Sequence, residues 1–293
     1  MQSKVLIGYD DSSEGDDALV LGHRLSEILD ARPVVTFVIA HPRHGTDKRE
    51  FDEAVDRFCE PIFAKARERL DGLEVTARPV VDDSPAAGIY QLADWEKPRA
   101  IVIGSTRHGR SGRVLVGTVG GSLLSGVHCS VAVAPRGYAD GASDPRRIGV
   151  AVDGSSKSRR ALFAAAYLAE RAQTPLRILS VMGTPHYVLG GLLSPLGPEE
   201  YRDYREMEWE RVYEDAEGRV ADGVATEPLL LHGEPTEALT GAASDLDLLV
   251  LGSRGYGPVK GTLLGSVSAR VMAAAACPVM VVPRGAGPTP LEA

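Results

Sequence analysis

Residues 104–137 and 252–285 align without a gap and carry the same residue at 12 of 34 positions, among them Gly104, Gly117, Val119, Cys129, Pro135 and Gly137. The offset of 148 residues is about half of the 293-residue chain, which marks a duplicated domain. The duplication restricts the fold sharply, because each copy must close within roughly 145 residues. That length buries about two thirds of the unfolded surface without metal or disulfide support. The expected organisation is a first domain over 1–137, a linker over 138–146 and a second domain over 147–285.

Within each copy the apolar pattern alternates between strand-length runs and helical spacing. Lys4–Asp10 reads as a strand, and Ala18, Leu19, Leu21, Leu25 and Ile28 follow at helical intervals. Further strands are expected at Val34–Ala40, Glu74–Val81, Ala100–Ile103 and 131–134. Helices are expected over Asp47–Leu70 with an interruption at Pro61, from Ser84-Pro85 to Trp95, and over 118–127. The second half repeats the order, with strands at Ile148–Asp153, Leu176–Met182, Val224–Leu231, Leu246–Leu251 and Val279–Val282. Its helices fall at Ser156–Gln173, Pro198–Ala221, Pro235–Ala243 and Gly265–Ala276. Residues 136–146 are rich in Gly, Asp, Ser and Pro without periodic apolar residues, as a linker is. This alternation predicts α/β architecture: two tandem doubly wound parallel-sheet domains, with ligands in the crevice at the carboxyl ends of the strands. Gly183–Gly197 breaks the symmetry and reads either as a lid over the second crevice or as plain surface loop.

A net charge of −8 and a pI near 5.4 argue against a nucleic-acid or anionic-membrane surface. The longest apolar stretch, Val271–Val282, is broken by Pro278 and is too short to cross a bilayer. Cys59, Cys129 and Cys277 have neither metal-ligand nor CxxC spacing. Their odd number, and a start without the apolar segment of a secretory signal, point to a reducing, cytoplasmic setting. Cys129 and Cys277, as repeat equivalents, are expected in the core. The histidines show no HxxxH or paired-carboxylate spacing, so none is assigned to metal or catalysis. Trp95, Trp209, Tyr201, Tyr204 and Tyr213 are expected to pack helix faces, with Tyr201, Tyr204 and Met207 as an alternative partner surface.

The chemistry gathers in the loop after the fourth strand of each copy. A glycine-punctuated loop that leaves a strand and feeds a helix presents free backbone N–H groups and the positive end of the helix dipole to one spot, which suits a phosphate. In the second half this loop carries Gly252, Gly255, Gly265 and Ser266, in the spacing G-x2-G-x9-G-[ST]. The first half has Gly104, Arg107, Gly117 and Thr118 there.

Together these features resemble the universal stress protein family in its tandem, actinobacterial form, over nearly the whole chain. The resemblance implies an adenine nucleotide alpha hydrolase-like fold that binds ATP, with or without Mg2+. It implies that Asp153 and Val181 meet adenine and ribose, and that Gly252, Gly255, Gly265, Ser266 and Val267 hold the phosphates. Asp10 and Val38 are the first-half counterparts, with Gly104, Gly117 and Thr118 as weaker candidates beside a motif broken at Arg107. It also implies dimerisation through the last strand of each domain, as a homodimer or as a pseudo-dimer within the chain. The expected role is a non-enzymatic, ATP-dependent stress-response module.

Plainer readings stand beside these. Gly252 and Gly255 also suit a tight turn, Ser266 a helix cap, and Asp10 and Asp153 caps of the following helices, although Ser-Ser beside each offers a cap of its own. Arg107 either blocks the approach of a phosphate or adds a bidentate contact to it. With His108, Arg110 and Arg113 it makes either an anion site or a solvated cluster. One rival function is a slow ATPase or a phosphoryl or nucleotidyl transferase. Lys260 lacks a Walker A context, and no carboxylate pair is clearly spaced for Mg2+. The other rival is a scaffold that binds no nucleotide.

Overall fold

The structure, a computed structural model, describes residues 3–40, 48–70, 74–105, 118–141, 145–183, 198–253 and 266–283. The first half contributes β1 (Lys4–Gly8), β2 (Arg32–Ile39), β3 (Thr76–Val81), β4 (Ala100–Gly104) and β5 (Ser130–Ala134). These are mutually parallel in the order β3-β2-β1-β4-β5. The second half contributes β6 (Ile148–Ala151), β7 (Leu176–Met182), β8 (Thr226–His232), β9 (Leu248–Gly252) and β10 (Val279–Val282) in the mirrored order β10-β9-β6-β7-β8. Both halves therefore have the expected doubly wound parallel form. Strand order reverses between β1 and β4, and again between β6 and β9, which opens a crevice at each of those strand ends.

The inner strands are apolar almost throughout because helices cover both faces of the sheet. One layer is made by α1 (Ser13–Ile28), α2 (Lys48–Arg69), α6 (Ser156–Ala172) and α7 (Pro198–Glu217). The other is made by α3 (Pro85–Glu96), α4 (Thr118–Gly126), α8 (Pro235–Ala242) and α9 (Ser266–Ala274). The two cores on either side of the sheet each run through both halves. They are joined where β5 and β10 pair antiparallel, with Val131 opposite Val281, Ala132 opposite Met280 and Val133 opposite Val279. The period of two sends Val131, Val133, Val279 and Val281 into one core and Ala132, Ala134, Met280 and Val282 into the other. Last-strand pairing is thus made within the chain, and neither β5 nor β10 is an edge. The edge strands β3 and β8 carry Pro79 and Pro228, residues that interrupt further ladder pairing.

Three details differ from the sequence-based expectation. Helix α2 runs unbroken through Pro61. The carbonyl left without a donor, that of Arg57, sits at an exposed position where water can bond it. Within the linker, Tyr138–Gly141 forms a short helix, α5. It is tied to α1 by the buried Asp17 carboxylate, which accepts the N–H groups of Gly137 and Ala139, each at 2.8 Å. Trp95 does not pack: α3 buries Ala86, Ile89, Leu92 and Ala93, and Trp95 falls off that stripe, 80% exposed. Cys59, Cys129 and Cys277 are buried free thiols, and burial pushes Cys129 and Cys277 up to about 12.

Glu96 closes α3 and accepts from Lys4 Nζ of β1 at 2.5 Å and Arg78 Nε of β3 at 3.1 Å. These cations, Lys4 first, hold its carboxyl below the ordinary value of 4.5. A depressed carboxylate stabilises the fold above its unfolded pKa, and that contribution disappears as pH falls through the folded pKa. Glu96→Gln is therefore expected to lose about 1–2 kcal/mol in urea denaturation at pH 7, with the difference shrinking as pH falls through the acid range.

Candidate functional site

Each crevice begins at the turn between the first strand and first helix of its half. The turn needs one residue in the left-handed region, filled by Asp11 (φ 57°) in the first half and by Gly154 (φ 74°) in the second. Ser12 and Ser155 cap the helices, accepting from Gly15 N–H at 3.0 Å and Ser158 N–H at 3.3 Å. Asp10 and Asp153 therefore do not cap. Asp10 Oδ1 accepts from the N–H and hydroxyl of Ser12, and Asp153 Oδ1 from Ser155 N–H at 3.1 Å, so each aspartate braces the capping serine.

In the second half, a cavity of about 550 Å³ lies at the ends of β6, β7 and β9. It brings together Asp153, Val181, Gly252 and Val267, four of the seven residues expected there, from four different elements. Ser266 opens α9, and Val267 and Ser268 of its first turn line the same cavity. Ser268, which sequence reasoning missed, donates to Gly252 O at 2.8 Å and pins that first turn to β9. Gly255 and Gly265 lie outside the described residues, as do Lys260 and the segment 184–197.

Sequence reasoning also missed Glu208, Trp209 and Arg211 of α7 and Leu239 of α8, which line this cavity. The expectation that Trp209 simply packs a helix face is corrected, since it lines the cavity. A period-3.6 pattern shows that Trp209 is on a partly apolar stripe, but not that the stripe overhangs the strand ends. Tyr213 keeps its expected packing role, partly buried against the core, whereas Tyr204 and Met207 are exposed.

The first-half cavity is smaller, about 310 Å³, and is lined by Asp10, Val38, Gly104 and Val119 in the corresponding places. Thr118 opens α4, while Gly117, Arg107, His108, Arg110 and Arg113 lie outside the described residues. Two side chains change its character. Tyr9, where the second half has Val152, fills space beside the strand end. Its hydroxyl is held 3.2 Å from Asp11 Oδ1 and 3.4 Å from Asp16 Oδ1, and burial followed by those carboxylates pushes the phenol up. Glu14, buried in the lining, stands where the second half has Lys157. The helix starts differ in sign throughout: in the repeat alignment Glu14, Asp16 and Asp17 of α1 correspond to Lys157, Arg159 and Arg160 of α6. Gly104 has a packing reason to be glycine, because a Cβ there would lie 2.0 Å from the Glu14 carbonyl oxygen.

Among the described residues no group of three His, Cys, Asp or Glu is placed to hold a metal ion, and no helix is long and apolar enough to cross a membrane.

Two doubly wound halves sharing one ten-stranded sheet, each with a cleft at its switch point, define a tandem α/β protein with paired ligand-sized sites. The chain belongs to the universal stress protein family, whose family model matches residues 1–135 and 145–283. A universal stress protein of Mycobacterium tuberculosis is 24% identical over 95% of this chain and 99% of its own length. One from Mycolicibacterium smegmatis is 29% identical over 95% and 96%. Among solved structures, a universal stress protein from Archaeoglobus fulgidus shares the fold with a TM-score of 0.69 and 22% identity, covering 96% of this chain and 98% of that one.

Proposed function

We propose that the protein binds an adenine nucleotide, ATP foremost, in the second-half cavity and acts as a nucleotide-dependent stress-response or regulatory module rather than as an enzyme. The observation that carries this reading is the convergence of Asp153, Val181, Gly252 and Val267 on one cavity at the β6/β9 switch point. Its volume of about 550 Å³ lies within the range of small-molecule sites. The donor set fits the ligand. Asp153 offers a carboxylate to ribose hydroxyls or an amine, Val181 an apolar surface, and the start of α9 offers backbone N–H groups to phosphate. Gly255, Gly265 and Ser266 complete the phosphate loop in this reading, and Mg2+ would arrive with the phosphates. Residues 1–137 and 147–285 are the two functional units, joined through 138–146.

The first-half site is secondary in this proposal. Its smaller volume, the buried Glu14 carboxylate in its lining and Arg107 in place of the second motif glycine all oppose phosphate binding in the same way as in the second half. Binding in the second half alone makes occupancy a single-valued signal, stabilising whatever conformation holds the loop against α9.

The test is to denature the purified protein and count the released nucleotide by chromatography with mass detection. About one ATP per chain is expected, falling to none in Gly255→Arg. Two per chain would overturn the asymmetry, and none after soaking in millimolar ATP would leave the scaffold reading. Turnover well above background that Asp153→Ala abolishes would replace the module with an ATPase or transferase.

A further inference from the structure

We infer that Trp209 is the specificity-determining residue of the second-half cavity, the aromatic wall on which the base of the bound nucleotide stacks; the inference rests on the nucleotide reading of that cavity. The two halves place an aromatic ring at the cleft in different ways. Aligned in sequence at an offset of 150 residues, α2 and α7 match the buried Ala66 with the buried Ala216 and Ile62 with Val212. Trp209 then stands where α2 has Cys59, a thiol sealed in the core. No described residue of α2 lines the first-half cavity. There the rings come from the sheet side instead, as Tyr9, anchored by two aspartates, and Phe37 of β2. In the second half Val152 frees that space, and Trp209 bounds it from the helix side.

The ring is held for the purpose. Tyr213, four residues on, lies nearly parallel to the indole, with ring centres 6.0 Å apart and 22° between the planes. Across the cavity stand Leu179, Val181 and Leu251 at the strand ends and Leu239 on α8. Asp153, Glu208 and Arg211 supply two carboxylates and one guanidinium to the same lining. A slot with apolar walls, an indole face, two carboxylate acceptors and one guanidinium matches a flat heteroaromatic ring that bears hydrogen-bond donors, with the guanidinium left for an attached anionic group. A phosphate chain without a base would engage the start of α9 and the cation and leave the indole uncovered. Stacking is insensitive to which base is present, so Trp209 selects for the presence of a base rather than for its identity.

The chain has only two tryptophans, and Trp95 is exposed in the other half, so the full-length Trp95→Phe variant reports on Trp209 alone. Its fluorescence is titrated with ATP while calorimetry measures binding independently, and circular dichroism checks the fold of each variant. The expected result is a saturable change in Trp209 emission with the calorimetric Kd. Trp209→Ala should weaken ATP binding about 5- to 150-fold, Trp209→Phe should retain most of the affinity, and base-free tripolyphosphate should bind the wild type and Trp209→Ala within about twofold of each other. Calorimetric binding of ATP with unchanged emission overturns the stacking role and leaves the nucleotide site standing. Equal loss of ATP and tripolyphosphate affinity in Trp209→Ala reduces Trp209 to a structural residue. Absence of ATP binding by calorimetry overturns the nucleotide reading and this inference with it. Where Trp209→Ala fails the fold check, the emission change and Trp209→Phe decide.

Discussion

Gly104→Ala is expected to destabilise the first half by about 3 kcal/mol, at the upper end of overpacking effects. The added Cβ would lie 2.0 Å from the Glu14 carbonyl oxygen and 2.6 Å from its carbon. These are backbone atoms in the first turn of α1, so no side-chain rotation relieves the overlap. Helix α1 must move off β4, opening the core that Leu19 and Val102 share. Urea denaturation followed by circular dichroism measures the loss. Gly121→Ala in α4 is the control: a Cβ there meets nothing within 4 Å, and the exchange should be neutral or stabilise by about 0.5–1 kcal/mol through helix propensity. Comparable losses in both variants would show that backbone preference, rather than the β4–α1 approach, makes Gly104 necessary.

Met280→Asp is expected to have a larger effect still, about 4–5 kcal/mol, and to act on both halves. Met280 is fully buried at the centre of β10 opposite Ala132 of β5, in a core that includes residues of α1 and α6 alike. A carboxylate there has no partner and no water, and breaks the one ladder that joins the halves. Single-tryptophan backgrounds, Trp209→Phe for the first half and Trp95→Phe for the second, provide separate probes of the transition. Because the cores run through the β5–β10 junction, both probes should report one midpoint with Met280 in place, and both should shift in Met280→Asp. Two separate midpoints, with only the Trp209 signal moved by the substitution, would mean that the halves fold independently.

The fold was largely legible in the chain because its signals are local and repeated. Apolar runs such as Val5–Ile7 and Ile101–Ile103 can only be inner strands of a sheet covered on both faces, and the serines at 12, 84 and 155 announce helix starts through hydrogen bonds made within three residues. Pro61 was misjudged because a proline's cost depends on whether the abandoned carbonyl is wet, and exposure is not a local property. Trp95 and Trp209 were given the same role and proved to have opposite ones. Each sits on a helix with an apolar stripe, but the stripe of α3 turns Trp95 to solvent, and the setting of α7 above the strand ends turns Trp209 into the cleft.

The site was half legible in the same sense. Asp10, Asp153, Gly104 and Gly252 announce themselves because strand-end aspartates and glycine loops have recognisable spacing. What those residues do was decided by contacts across the fold. The aspartates brace the serine caps rather than capping, and Gly104 is glycine because α1 crosses it. The sequence by itself determined the duplication, the α/β alternation and the charge reversal between the starts of α1 and α6, all of which depend on residue order and short-range chemistry. Only the tertiary structure decided that β5 and β10 close the two halves into one sheet, that Tyr9 fills one cleft, and that Trp209 and Arg211 wall the other. Those outcomes depend on how helices more than a hundred residues apart settle on a common sheet, and packing of that range leaves no periodic trace in the chain.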